Sequence, residues 1–157
     1  MDSTSIIEAL NAIVGAANVH IGAEVPDRSA VWGTRQPCLA RAVVCPASTD
    51  EVAAVMQACH AAGQSVVPYG GMTNLVQGAA TSPEDIAISF ERMDRIDAVD
   101  RTAATMTVQA GVTLRAAQVR ADQAGLYFPV DIGAREYCML GGYVATTAGG
   151  TRVSRSG

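Results

Sequence analysis

The chain contains no lysine: its eleven basic residues are all arginines, set against fifteen acidic ones in 157 residues, for a formal net charge of −4. A nucleotide-hydrolase phosphate loop needs a lysine for the β/γ-phosphates, so that chemistry is unsupported. Aromatics make up 4% and no arginine run alternates with them, which leaves no footprint for nucleic acid. There are two histidines, His20 and His60, and four cysteines, Cys38, Cys45, Cys59 and Cys138, none in C-x-x-C spacing. Cys59 and His60 are neighbours that would point to different faces of a helix, so no metal site is expected. Long apolar runs are also missing, and none approaches the roughly 18 residues that a membrane span requires. The start, MDSTSIIEAL, is acidic before its first apolar residues, which is unlike a secretory signal. A cytoplasmic, reducing location is expected, with Cys45 and Cys59 as small buried hydrophobes.

What the chain does have is glycine in two concentrated stretches, PYGGMTNLVQG at 68 to 78 and LGGYVATTAGGTR at 140 to 152. Glycine adopts positive φ without steric cost, so successive amides can converge on phosphate oxygens. A single run such as Gly70-Gly71 would ordinarily be turn punctuation. Two runs, each entered from an apolar strand-like segment and each carrying Thr or Asn, imply a long anionic cofactor of dinucleotide type. Neither spells G-x-G-x-x-G with an acidic residue about 20 positions on, so a Rossmann site is unsupported. The reading that remains is a pyrophosphate held by main-chain amides of Gly70, Gly71, Met72, Thr73 and Asn74, without a cation.

Local patterns predict an ordered series of elements. Ser5 and Glu8 have capping-box spacing ahead of Ile6, Leu10, Ile13 and Val14, predicting a helix over 5 to 15 with Gly15 as its stop. Residues 22 to 37 read as an ordered loop or arm. ARAVVCP is a short strand, Ser48 and Glu51 open a helix with Val52, Val55, Met56 and Cys59 on one face, Gly63 closes it, and QSVVPYG is a second strand. This β-α-β unit predicts parallel strands, with the first glycine stretch at a carboxyl edge, where ligands bind. Three β-type segments follow at 86 to 90, 95 to 100 and 104 to 111, the last two forming a hairpin. Thr113 is expected to cap a helix to about Gln123, burying Leu114, Ala117, Ala121 and Ala124, with Gly125 as its stop. LYFPVDIGA then runs extended into the second glycine stretch.

Taken in order, RAVVCPASTDEVAAVMQACHAAGQSVVPYGGMTNLVQGA, SFERMDRIDAVD, TVQAGVTL and FPVDIGAREYCMLGGYVATTAGGTRVSRSG resemble the flavin-binding domain of the vanillyl-alcohol oxidase and p-cresol methylhydroxylase superfamily. The resemblance is nearest its D-2-hydroxyacid dehydrogenase branch, which oxidises D-lactate, glycolate or D-2-hydroxyglutarate, and it covers residues 38 to 157. It implies an α+β fold of p-cresol methylhydroxylase type, with a small N-terminal β-α-β lobe and a second lobe of mixed or antiparallel sheet. Residues 1 to 37 form a helix and arm ahead of it.

The resemblance also implies a non-covalent FAD between the lobes, its pyrophosphate wrapped by 68 to 78, including Tyr69 and Leu75. By the same resemblance Asp131, Gly133, Ala134, Gly141, Gly142, Ala145, Thr146 and Gly149 line the flavin and ribityl side. Arg152 and Arg155 match a family Arg-x-x-Arg stretch. This chain departs from the family pattern at Tyr69, where Arg or Gln is frequent, at Met72 and Asn74, which replace glycine-type positions, and at Ser156, which replaces a tyrosine. Some relatives attach the flavin through a histidine in the first loop, and this loop has none. His20, His60, Asp94, Asp97, Asp100 and Cys138 are expected in surface, turn or packing roles.

Hydride transfer from an α-hydroxy acid needs a carboxylate anchor and a base for the hydroxyl proton, and no converging set of such residues is visible here. The resemblance places those groups in a C-terminal cap domain beyond Gly157, so the catalytic residues are not assigned. The chain is expected to be a truncated flavin domain whose open sheet edge favours self-association as a homo-oligomer. Two alternatives stand beside the oxidoreductase reading: an FAD-binding module without autonomous catalysis, and a flavoprotein resembling UDP-sugar enol-ether reductases.

Overall fold

The computed structural model describes residues 3–25, 33–34 and 36–150, with side chains from residue 6 onward. Those residues fall into two compact units, one running to Arg92 and the other beginning at Met93.

In the first unit, Ile6, Leu10 and Val14 recur every four residues, the spacing that lines up one helix face, and all three are buried in α1 (Ser3–Val14). The helix begins two residues ahead of Ser5, which therefore sits in its first turn and not at its cap. Initial amides need no intrahelical partner, so an extra turn forms at small cost. Gly15, at φ +83°, ends the helix as expected. The chain then enters β1 (Val19–Ile21), a strand the sequence pattern does not show because it is three residues long and only Val19 is buried.

β1 pairs antiparallel with β2 (Ala42–Val44). α2 (Thr49–Ala61) follows, opened by Ser48, whose hydroxyl accepts from the Glu51 amide at 3.1 Å, while the Glu51 carboxylate accepts from the Ala47 amide at 2.8 Å. Val55 and Cys59 are buried, but Met56 is exposed, so the apolar stripe is narrower than its sequence suggests. Gly63, at φ +65°, closes the turn into β3 (Val66–Tyr69).

The next strand, β4 (Ile86–Ser89), is inserted into the β-α-β unit. The sheet order is β1-β2-β4-β3, so β2 and β3 are parallel to each other but not adjacent, each hydrogen-bonding to β4 between them. Alternation explains the choice of a central position, because both faces of β4 are apolar. Ile86 and Ile88 join Ala42, Val44, Val55, Cys59 and the α1 stripe on the helix-covered face. Ala87 joins Val43, Cys45, Tyr69 and Cys38 on the other. A residue such as Leu10, wholly removed from water, contributes roughly 1.5–3 kcal/mol of this burial.

The second unit opens with the expected hairpin, β5 (Ile96–Asp100) and β6 (Thr105–Val108), bulged between Ile96 and Ala98. Its turn is held by the Asp100 carboxylate, which accepts from the amides of Thr102 and Ala103. Thr113 caps α3 (Leu114–Gln123) through the Ala116 amide at 3.2 Å. Leu114, Ala117, Ala121 and Ala124 are buried, and Gly125 at φ +72° ends the helix, as the pattern predicts. Val112, Leu114, Ala117, Cys138 and Leu140 form this unit's core. The second glycine stretch is not simply a loop, since α4 (Leu140–Ala145) occupies its start. Met139 bridges Thr113, and the Leu140 amide donates to the Val112 carbonyl, which anchors the segment where a helical turn can grow.

Candidate functional site

The loop from Gly70 to Gly78 leaves the carboxyl end of β3, at the edge where parallel sheets bind ligands. Its backbone takes left-handed turns, at Met72 among the expected residues but not at the glycines. The positive φ values fall on Met72 (54°) and Gln77 (59°), conformations that cost a non-glycine residue about 1 kcal/mol or more. Met72 stands where the family resemblance has a glycine-type residue, and it is held partly buried against the Val43 and Tyr69 cluster. Among the described residues, the amides of Gly70, Gly71, Met72 and Thr73 make no hydrogen bond, although all four residues are half-buried. Half-buried donors in succession are costly unless an acceptor meets them, so the loop suits a group rich in anionic oxygens.

Tyr69, expected among the ligand contacts, is wholly buried, and its hydroxyl donates to Cys38 Sγ at 3.0 Å and lies 3.2 Å from Thr81 Oγ1. Its side chain is a core element beneath the loop, which leaves at most its backbone for a ligand. Leu75 and Val76 lie at the other extreme, 77% and 82% exposed.

The residues expected from the second stretch divide by environment. Gly141 is committed to packing: its amide donates to the Ala110 carbonyl at 2.9 Å, and a Cβ there would lie 2.7 Å from the Ala110 Cβ. Gly142 differs, since a Cβ built on it meets nothing within 4 Å. The Thr146 hydroxyl donates back to the Gly142 carbonyl, and Thr147 takes φ +50°. Ala145 and Gly149 are exposed. Asp131 pairs with Arg135 at 3.2 Å and lies near the Gln118 amide. Gly133 is exposed and open, and the Ala134 carbonyl accepts from the amides of Tyr137 and Cys138. Gly150 presses on the Asp131 carbonyl so closely that no side chain fits, which brings the end of the stretch to the 131–132 segment. Arg152, Arg155 and Ser156 lie outside the described residues.

Sequence reasoning missed Tyr143, whose hydroxyl is buried and has no partner among the described residues. Burial pushes this phenol up from its ordinary pKa, helped by nearby Cys138, and burial likewise raises the Cys138 thiol. No spacing rule marks Tyr143, because its environment is created by the turn of α4. In the first unit, the unbonded amides of the loop suit a diphosphate. In the second, the orphaned Tyr143 hydroxyl and the open Gly142 leave room for a polar group.

Comparison with known proteins identifies the cofactor. The family described as FAD binding domain matches residues 40–157, and the chain belongs to it. It is 42% identical over 129 residues to a D-2-hydroxyglutarate dehydrogenase of Xanthomonas citri pv. viticola, covering 80% of this chain and 27% of that protein. It is 35% identical over 131 residues to a D-lactate dehydrogenase of Anaerostipes hadrus, covering 83% of this chain and 27% of the relative. The chain thus spans about a quarter of the length of these curated relatives. The fold matches alkyldihydroxyacetonephosphate synthase with a TM-score of 0.88 at 20% identity, over the whole chain and 31% of that structure. It matches p-cresol methylhydroxylase with a TM-score of 0.66 at 15% identity, over 78% of this chain and 25% of that one. The fold is therefore the p-cresol methylhydroxylase type, and the cofactor is FAD. No helix among the described residues is long and apolar enough to cross a membrane.

Proposed function

We propose that this chain is the FAD-binding portion of an oxidoreductase that oxidises a D-2-hydroxy acid, with residues 38 to 157 as the flavin domain behind an N-terminal helix and arm. The observation that carries the reading is the run of unbonded, half-buried amides from Gly70 to Thr73, fixed by the left-handed Met72. These amides receive the diphosphate, with Asn74 and Leu75 beside them. In the second unit Gly142, Ala145, Thr146 and Gly149, with Asp131, Gly133 and Ala134, serve the flavin side. Flavin supplies a hydride acceptor when bound; this chain's contribution is to hold and orient it. The names of the relatives support the substrate class. The lack of a histidine in the first loop supports non-covalent binding, and four buried free cysteines support a reducing cytoplasmic location.

The test is spectroscopic. Purified chain reconstituted with FAD is expected to show a bound-flavin spectrum, and acid denaturation is expected to release all of the flavin. Anaerobic addition of D-2-hydroxyglutarate or D-lactate to the complete protein is expected to bleach it. Absence of bound flavin overturns the cofactor site. A flavin that neither acid bleaches makes the chain a cofactor module or the partner of another substrate.

A further inference from the structure

The carboxyl edge of the first unit's sheet carries a second cluster of chemistry-bearing side chains. His20 is the middle residue of β1, Cys45 directly follows β2, and Glu91 lies two residues beyond β4. These strands are neighbours in the order β1-β2-β4, which brings residues far apart in sequence to one place. One ligand atom from each lies within 4.8 Å of the other two. Cys45 Sγ is 3.3 Å from Glu91 Oε1. Tetrahedral zinc, with bonds of roughly 2.0–2.3 Å, sets its ligand atoms about 3.3–3.7 Å apart, so the cluster needs a contraction of about 1.5 Å at most. The imidazole can supply that movement, because His20's side chain is 32% exposed.

We propose that His20, Cys45 and Glu91 form a zinc-binding site, with water at the fourth position. The second observation is the state of the histidine. His20 Nδ1 lies 3.3 Å from Glu24 Oε2, the arrangement in which a carboxylate fixes the tautomer and leaves Nε2 as the ligand. Thiolate, imidazole and carboxylate together suit zinc, and neither calcium nor magnesium. On binding, the Cys45 thiol proton passes to solvent as the zinc–sulfur bond forms. The Cys45 and Glu91 charges then neutralise the dication. The Arg92 guanidinium, which donates to the Cys45 carbonyl at 2.7 Å, holds the backbone at Cys45 in place. The metal would pin the short edge strand β1 to β2 and to the segment that follows β4.

Untagged, metal-free chain titrated with Co²⁺ is expected to bind one equivalent and develop a thiolate-to-cobalt charge-transfer band, which Zn²⁺ then displaces. Cys45→Ala is expected to abolish the band, while Cys59→Ala, the control for another buried thiol, keeps it. His20→Ala and Glu91→Gln, both away from the core, are expected to weaken zinc at least about tenfold, and Glu24→Gln by about 10- to 100-fold. A protein that binds cobalt without a thiolate band, or whose band survives Cys45→Ala, overturns the site. So does the absence of stoichiometric binding.

Discussion

Gly141 lies so close to Ala110 that a methyl group added at 141 would stand 2.7 Å from the Ala110 Cβ and 3.0 Å from its carbonyl oxygen. Backbone cannot yield to that contact without moving α4. Gly141→Ala is expected to cost about 1–3 kcal/mol by overpacking, read in urea unfolding of the cofactor-free chain. Gly142→Ala is expected to leave that stability unchanged or raise it by up to about 1 kcal/mol, because alanine favours the helix and meets nothing. Its effect should instead appear as weaker FAD binding in a fluorescence titration. Equal flavin affinity in wild type and Gly142→Ala would remove Gly142 from the cofactor site.

Tyr69 gives the opposite pattern. Removing its hydroxyl in Tyr69→Phe strips the partner of Cys38 and Thr81 beneath the loop, at an expected cost of about 0.5–1.5 kcal/mol. The bound-flavin spectrum should not change, since the ring never reaches the ligand side. A spectral shift with unchanged stability would contradict the buried placement.

Asp85 sets a pH dependence with a definite sign. Its carboxyl is held below the usual carboxylate range first by the Ser65 hydroxyl and next by the Ser82 amide. A lowered folded pKa means the stabilisation is fully present above the ordinary aspartate value of about 3.9 and is lost as pH falls from there through the folded value. Asp85→Asn should therefore flatten the acid limb of stability against pH below about 4 and leave the neutral slope alone. Identical acid limbs would show that the carboxylate contributes nothing.

Ser48→Ala removes the hydroxyl that accepts the Glu51 amide and is expected to cost about 1 kcal/mol, with Ser48→Gly costing only a few tenths. The urea midpoint of each variant reads this directly. Equal midpoints for Ala and Gly would deny the cap.

Features written in contiguous residues were legible without a structure: the caps at Ser48 and Thr113, the stops at Gly63 and Gly125, the hairpin turn at Asp100, and the position of the first loop after β3. Features that depend on distant pairing were not. The antiparallel strand at Val19 is too short to show a period. The segment from Ile86 reads as a strand, but its place between β2 and β3 follows from having two apolar faces to bury. In the first loop the glycines drew attention, whereas the left-handed backbone belongs to Met72, visible only as a departure from the family pattern. Tyr143 gave no local signal.

The central position of β4 also fixes an order of events during synthesis. β2 and β3 share no hydrogen bonds, so neither can complete the sheet until Ile86–Ser89 has left the ribosome. Until then α1 and α2 have only an incomplete apolar surface to cover, and the Gly70 loop is tethered at one end. The nascent chain therefore passes through a stretch of translation in which β2 has only β1 beside it and β3 has no partner strand. Slower synthesis between Tyr69 and Ile86 would lengthen the interval in which β3 stays unpaired.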